Sequence, residues 1–343
     1  MKTTINKRSA FLIFFFVICG LVSAQPVNKT DTLGRKQGYW KKYVKDTLKY
    51  EGAFINDKPT GEFKYYYPNG KIKAVTAYSD SGSKAQTIMY FNNGTKNAEG
   101  LYIDKKKEGL WVYYGINGIK ISEENYKTGI KEGTWKYFYD NGKINRIENY
   151  KNNMLEGEAM DFYADSILKL KCSYQNGKLN GKYQYFYDSG KILFTGVYKN
   201  DFQEGVWMFF DENSLGNRKL TYNKGQRVKE EILVKDNGPG TWVVVDDVAY
   251  CFSENKEVHI KKNSGEEIIT TTPLDDLEKR LDQFNFFRIS PDFLISRWSL
   301  KNRKAFTKEN PVLVLNPECG KLVKVNPDKI EGFMSWASLM KYE

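Results

Sequence analysis

The sequence predicts a mainly β protein: an elongated antiparallel array of β-hairpin repeats, followed by a small β-rich module with one short helix. Three observations carry this. Five glycines recur every 24 residues, at Gly109, Gly133, Gly157, Gly181 and Gly205, and a fixed period of this size marks a repeat array. The sixth residue of each copy is aromatic. Composition then changes near residue 235, where the period stops at Asp236-Asn237-Gly238-Pro239-Gly240, a turn-rich segment that reads as a hinge over 235–240.

The register extends backwards. Copies begin near 38, 61, 85, 109, 133, 157, 181 and 205, so the array spans 36–234 after a linker over 25–35. The copy at Ala85 keeps the register without its leading glycine. The sixth-position aromatics are Tyr43, Tyr66, Tyr90, Tyr114, Phe138, Phe162, Phe186 and Phe210. Each copy reads as strand, turn, strand, turn. The first strand is aromatic, which suits a pleated, half-buried surface. Asn69-Gly70, Asn93-Gly94, Asn141-Gly142 and Ser189-Gly190 supply positive φ for tight hairpin turns. A second strand opens with Lys-Ile and ends near Tyr126, Tyr150, Tyr174 or Tyr198, and a polar turn such as Asn176-Gly177 follows.

A second aromatic row stands at the third position: Trp40, Phe63, Trp111, Trp135, Tyr183 and Trp207, interrupted at Thr87 and Ala159. A thin sheet has little interior, so these rings read first as its core. The alternative is an exposed ladder for glycans or partner peptides, with Trp111, Trp135, Tyr183 and Trp207 as the candidate binding row. The pattern Gly133-x-Trp135-x-x-Phe138-Tyr139-x-Asn141-Gly142-Lys143 resembles the MORN repeat in its bacterial variant form, including a family described as antitoxin components. That resemblance implies protein contacts or membrane proximity for the array, and no catalytic residues.

The N-terminus has Lys2, Lys7 and Arg8, then an apolar run from Phe11 to Val22, then Val22-Ser23-Ala24-Gln25. This is the order of a secretory signal peptide, residues 1–24. The apolar run is shorter than the roughly 20 residues a membrane span requires. Export to the periplasm or medium is therefore expected, the alternative being a membrane anchor formed by residues 11–24.

Cys172, Cys251 and Cys319 remain after the signal segment. Three sparse cysteines do not make a disulfide framework, although Cys251 and Cys319 could form one pair. The only histidine is His259, expected as a half-exposed strand residue. Zinc motifs and His-containing catalytic constellations are thereby disfavoured. The sequence points to no enzyme, no cofactor and no metal site.

Beyond the hinge, residues 241–343 form a second module. Strands are expected at 242–245, 248–252, 258–261, 267–271, 286–289 and 293–296. A helix is expected over 273–281, with Thr272 capping it and Pro273 at its first position. A hairpin of 312–315 and 322–325 closes the module. Asp246-Asp247-Val248-Ala249-Tyr250, Thr272-x-Leu274-x-x-Leu277-Glu278 and Phe287-Arg288-Ile289-x-x-x-Phe293-Leu294-Ile295 resemble the LytTR domain, a mostly β DNA-binding module of bacterial response regulators. The resemblance implies DNA as a partner. Departures fall where the family contacts DNA: Ser290-Pro291-Asp292 and Ile295-Ser296 replace a His-Arg-Ser type tripeptide and Val-Asn, and Asn326-Pro327 replaces a terminal Ser-Arg.

Charge bears on the same question. From Gln25 to Asp236 there are 35 Lys+Arg against 26 Asp+Glu, a net of +9; from Asn237 to the end there are 15 against 16, a net of −1. DNA readers usually carry a basic footprint, and here the excess lies in the repeats. One cluster, Arg297, Lys301, Arg303, Lys304 and Lys308, is the candidate contact set for DNA or another anionic partner; solvated surface charge is the competing reading. The expected function is a non-enzymatic, exported binding or scaffold protein, whose repeat surface meets a protein or anionic partner. The alternatives are a membrane-tethered transcription regulator, and an antitoxin or immunity protein binding a toxin.

Overall fold

The computed structural model describes residues 27–212, 217–236, 238–301 and 306–338. The signal-like segment, and with it the proposed anchor, lies outside the described residues. The chain divides into two compact units, 1–118 and 119–343.

In the first unit, antiparallel strands succeed one another in chain order: Lys29–Thr30, Lys36–Val44, Thr47–Ile55, Lys58–Tyr66, Ile72–Ser79, Lys84–Tyr90, Lys96–Ile103 and Lys106–Tyr114. Each pairs with the next. The segment expected as a linker thus supplies a strand, Lys29–Thr30. The second unit repeats the hairpin pattern from Lys120–Lys127 to Gln226–Val234.

The leading glycines mark bulges. Between Thr47–Ile55 and Lys58–Tyr66 the register jumps from Glu51↔Lys64 to Ala53↔Thr60. The extra residues swell the chain at Gly61, whose φ of +68° suits glycine. The Ala85 copy explains itself in the same terms. It pairs with Ile72–Ser79 in unbroken register, Tyr78↔Ala85 and Thr76↔Thr87, so no left-handed residue is required there.

The Asn-Gly turns differ from a two-residue hairpin. The amide of Tyr67 donates to the Lys71 carbonyl at 2.8 Å and that of Gly70 to the Tyr67 carbonyl at 3.0 Å. Only Gly70 is left-handed, at φ +81°. The loop is a three-residue turn with a glycine bulge, and Asn69 accepts the Lys71 amide through its side chain. The tyrosine that opens this turn also ties copies together. Tyr67, Tyr139, Tyr163 and Tyr187 each donate a hydroxyl to a carbonyl 23 residues on, of Tyr90, Phe162, Phe186 and Phe210.

The C-terminal module is a five-stranded antiparallel sheet in the order Glu267–Thr270, Glu257–Lys262, Val248–Glu254, Phe293–Ser296, Phe286–Ser290. A short ribbon of Val312–Leu313 and Val323–Lys324 stands beside it. Two helices complete the module, α1 (Leu274–Arg280) and α2 (Ile330–Ser338); α2 is additional to the single helix expected. It buries Phe333 and Trp336 against Phe287. Pro273, at φ −56° and ψ 146°, precedes α1 rather than opening it, and Thr272 does not cap it. Thr272 is 2% exposed and accepts the Lys235 amide at 2.8 Å.

That contact belongs to a join. The expected hinge is a turn between two hydrogen-bonded strands, Gln226–Val234 and Thr241–Val244. Asp236 gathers the amides of Gly238 and Gly240 and the hydroxyl of Thr241, at 2.7–3.0 Å. Its carboxyl is held below the usual range, chiefly by the Thr241 hydroxyl. Lys235 is clasped by Thr270, Thr271 and Thr272. Ile232, Val234 and Val243 share one core with Val248, Leu274, Leu277 and Leu281. Half-buried Arg280 donates to the carbonyls of Leu233 and Asn217 at 2.6 and 3.2 Å. Apolar residues on both sides of the segment bury one another, which a free hinge would leave exposed to water.

Candidate binding surfaces

The third-position ring row is core, not an exposed ladder. Trp111, Trp135 and Trp207 are 1%, 3% and 1% exposed, and Tyr183 is half-buried between Phe194, Tyr198 and Trp207. The reason lies across the strand. A Cβ placed on Gly100 would meet the Trp111 ring at 2.3 Å, and one on Gly196 the Trp207 ring at 2.2 Å. Each indole lies flat on the backbone of its neighbour, and only glycine permits that approach. The indole N–H groups of Trp111 and Trp135 reach the carbonyls of Leu101 and Asn125 at 3.0 Å.

The two interruptions of the row differ. Ala159 pairs with Cys172, and both are buried, so small residues close that space. Burial pushes the Cys172 thiol up to about 11, which leaves it protonated and a poor nucleophile at neutral pH. At Thr87 the space stays open, as a cavity of about 520 Å³ within the first unit.

Some of the array's lysines are answered by neighbouring carboxylates, among them the three that recur at the fourth position of their copies. Lys41 meets Glu51 at 3.3 Å, Lys64 meets Glu62 at 3.3 Å, and Lys136 meets Glu123 at 3.9 Å. Glu51 and Glu99 also accept hydroxyls from Tyr66 and Tyr114. Those bonds, first among the causes, hold both carboxyls below their usual range.

In the module, two described members of the basic cluster stand beside carboxylates. Lys301 lies 4.0 Å from Glu318, and Lys308 lies 3.3 Å from Glu331 on α2. Arg297 sits in a short 3₁₀ turn, Arg297–Ser299, where the Trp298 indole donates to the Val248 carbonyl. Arg303 and Lys304 lie outside the described residues. Arg288, in the stretch that resembles a DNA reader, turns inward. It is 12% exposed, ion-paired to Asp275 and Glu278 at 3.0 and 3.2 Å, and it donates to the carbonyls of Ser290 and Pro291. Proline at 291 leaves a carbonyl to accept this bond and no amide to offer a phosphate.

All three described cysteines are free, so the Cys251–Cys319 pair does not form. Successive residues of a strand face opposite ways. Cys251 enters the core shared with the array, its thiol pushed up to about 12 by burial. Cys319 packs with Tyr250 on the other side of the sheet. His259 stacks on Phe252 at 4.7 Å and bonds Glu267 at 2.6 Å. No group of three His, Cys, Asp or Glu residues placed to hold a metal occurs among the described residues.

Similarity to known proteins follows this division. The family model of the LytTr DNA-binding domain matches residues 241–338, and that of the MORN repeat variant matches 59–83, 131–152 and 179–200. The chain thus carries MORN-type repeats and a C-terminal LytTr-type domain. Among solved structures, it is similar to a LytTr DNA-binding domain of a putative methyl-accepting/DNA response regulator from Bacillus cereus. Identity there is 16% over 31% of this chain and 94% of that one, with a TM-score of 0.26. A weaker similarity, 11% identical with a TM-score of 0.15, joins 71% of this chain to 17% of a Photorhabdus luminescens Tc holotoxin pore. No curated protein matches the chain.

Proposed function

We propose that the protein is a non-enzymatic, exported binding protein, in which the LytTr-type module serves as a docking unit fused to the end of the repeats. The observation that carries this is that two of the module's arginines are spent on the protein itself. Arg280 is committed to the carbonyls of the last repeat strands, and Arg288 to Asp275 and Glu278. With a net of −1 beyond residue 236, little charge remains for a phosphate backbone, which several Lys or Arg contacts normally neutralise. Among the described residues no helix is long and apolar enough to cross a membrane.

Export is tested by fractionating cells that produce the full chain and sequencing the mature N-terminus. The expected result is protein outside the cytoplasmic fraction, beginning at Gln25. A cytoplasmic protein that keeps residues 1–24 would contradict it.

A second reading, DNA binding by the module, is favoured by the family match over 241–338. The exposed Lys256, Lys324 and Lys329 have no ion-pair partner among the described residues. They are cations available to such a role among the described residues.

A further inference from the structure

In the first unit, the third-position rings close their own space. Phe63 covers Gly52 and Trp111 covers Gly100, where an added Cβ would meet the rings at 2.4 and 2.3 Å. The copy between them breaks this rule twice. Its third residue is Thr87, and the partner where glycine stands elsewhere is Thr76. The two buried hydroxyls bond each other at 3.1 Å. With no bulge and no ring, the space an aromatic side chain takes in the flanking copies is left open. Its walls are the flanking copies' own tyrosines. Tyr78 stands edge-on to Phe63 at 5.0 Å, and Tyr102 edge-on to Trp111 at 4.6 Å. Tyr65 and Met89 also line the cavity of about 520 Å³, which is within the range of small-molecule sites.

We propose that this cavity binds a small aromatic anion: a planar ring carrying a carboxylate or a group of like charge. The ring follows from the packing. Tyrosine faces and edges favour offset or edge-to-face contact with a further ring, and the Met89 thioether adds a sulfur contact. The inserted ring takes the place that Phe63 and Trp111 take in their own copies. The charge follows from Lys105, which also lines the cavity. Lys105 is exposed and has no carboxylate partner among the described residues. Neighbouring Lys64, Lys84 and Lys96 are each paired, to Glu62, Asp80 and Glu99. A polar anchor is present as well. The Tyr65 and Tyr78 hydroxyls bond each other at 2.8 Å, which uses one proton and leaves the other to donate. Burial raises the Tyr65 hydroxyl well above its ordinary value, so it remains a neutral donor. The site lies wholly within residues 59–105 and does not depend on what the C-terminal module does.

The test is calorimetric titration of the whole chain with indole-3-acetate, with indole as the uncharged ring and cyclohexylacetate as the saturated anion. Saturable one-to-one binding of indole-3-acetate is expected, with cyclohexylacetate at least tenfold weaker. Ala74→Phe places a ring at a half-buried wall position and should abolish binding. Lys105→Asn keeps a residue that tolerates the left-handed turn, φ +65°. It should weaken indole-3-acetate by about fivefold, the scale of one exposed ion pair, and leave indole unchanged. Absence of saturable heat, equal affinity for cyclohexylacetate, or binding unaffected by both substitutions would overturn the proposal.

Discussion

Replacing Trp111 by alanine is expected to lower stability by about 3–5 kcal/mol, the range for deleting a buried aromatic side chain. The indole is 1% exposed, lies on the bare backbone of Gly100, contacts Tyr102 at 4.6 Å and bonds the Leu101 carbonyl. Alanine would remove the ring and the bond together, and flanking strands cannot close the space without breaking register. Denaturant unfolding of the whole chain checks this. A residue of an exposed binding ladder would instead leave the unfolding midpoint near that of the parent protein and change affinity alone. The reciprocal change, Gly100→Ala, should also destabilise, because overpacking forces the ring off its site.

Leu277→Ala is expected to cost about 2–5 kcal/mol and, more tellingly, to loosen both sides of the join. Leu277 is 0% exposed on α1, in one core with Ile232, Val234 and Val243 from the last repeat strands. Hydrogen exchange should therefore quicken in 230–234 and 241–244 as well as in the sheet of the module. If residues 235–240 were a hinge between separate cores, only the module would lose protection.

Much of the architecture was legible because the repeats write it many times over. The 24-residue spacing located the hairpins, and the hydrophobic order after residue 241 located the module's five-stranded sheet. What was not legible depended on partners distant in sequence. The hinge reading of Asp236 to Gly240 was reasonable from turn residues, but nothing local reveals that Thr270 and Thr272 clasp Lys235. Helix α2 is nine residues long and contains Gly332. Its buried Phe333 and Trp336 are too few to display a helical period. The missing glycine at Ala85 and the threonine at 87 were visible as exceptions. Their shared cause, an unbroken ladder with Ile72–Ser79, required the register. A comparison of three copies would have pointed to it: the residue eleven places before Phe63, Trp111 and Trp207 is Gly52, Gly100 and Gly196, and before Thr87 it is Thr76, although Trp135 and Tyr183 have Glu124 and Cys172 there. The basic cluster near 297–308 was visible in the sequence as a candidate contact set. Its carboxylate partners, Glu318 and Glu331, come from elements far along the chain.

The central claim is that the LytTr-type module belongs to a binding protein and not to a DNA reader. The most direct measurement is fluorescence anisotropy of mixed-sequence duplex DNA titrated with the whole chain beginning at Gln25, across a salt series starting at low ionic strength. The account predicts weak association without sequence preference, unchanged when Lys256, Lys324 and Lys329 are replaced together by glutamine. Tight binding that depends on sequence, falls steeply with salt and is lost in that triple variant would contradict it.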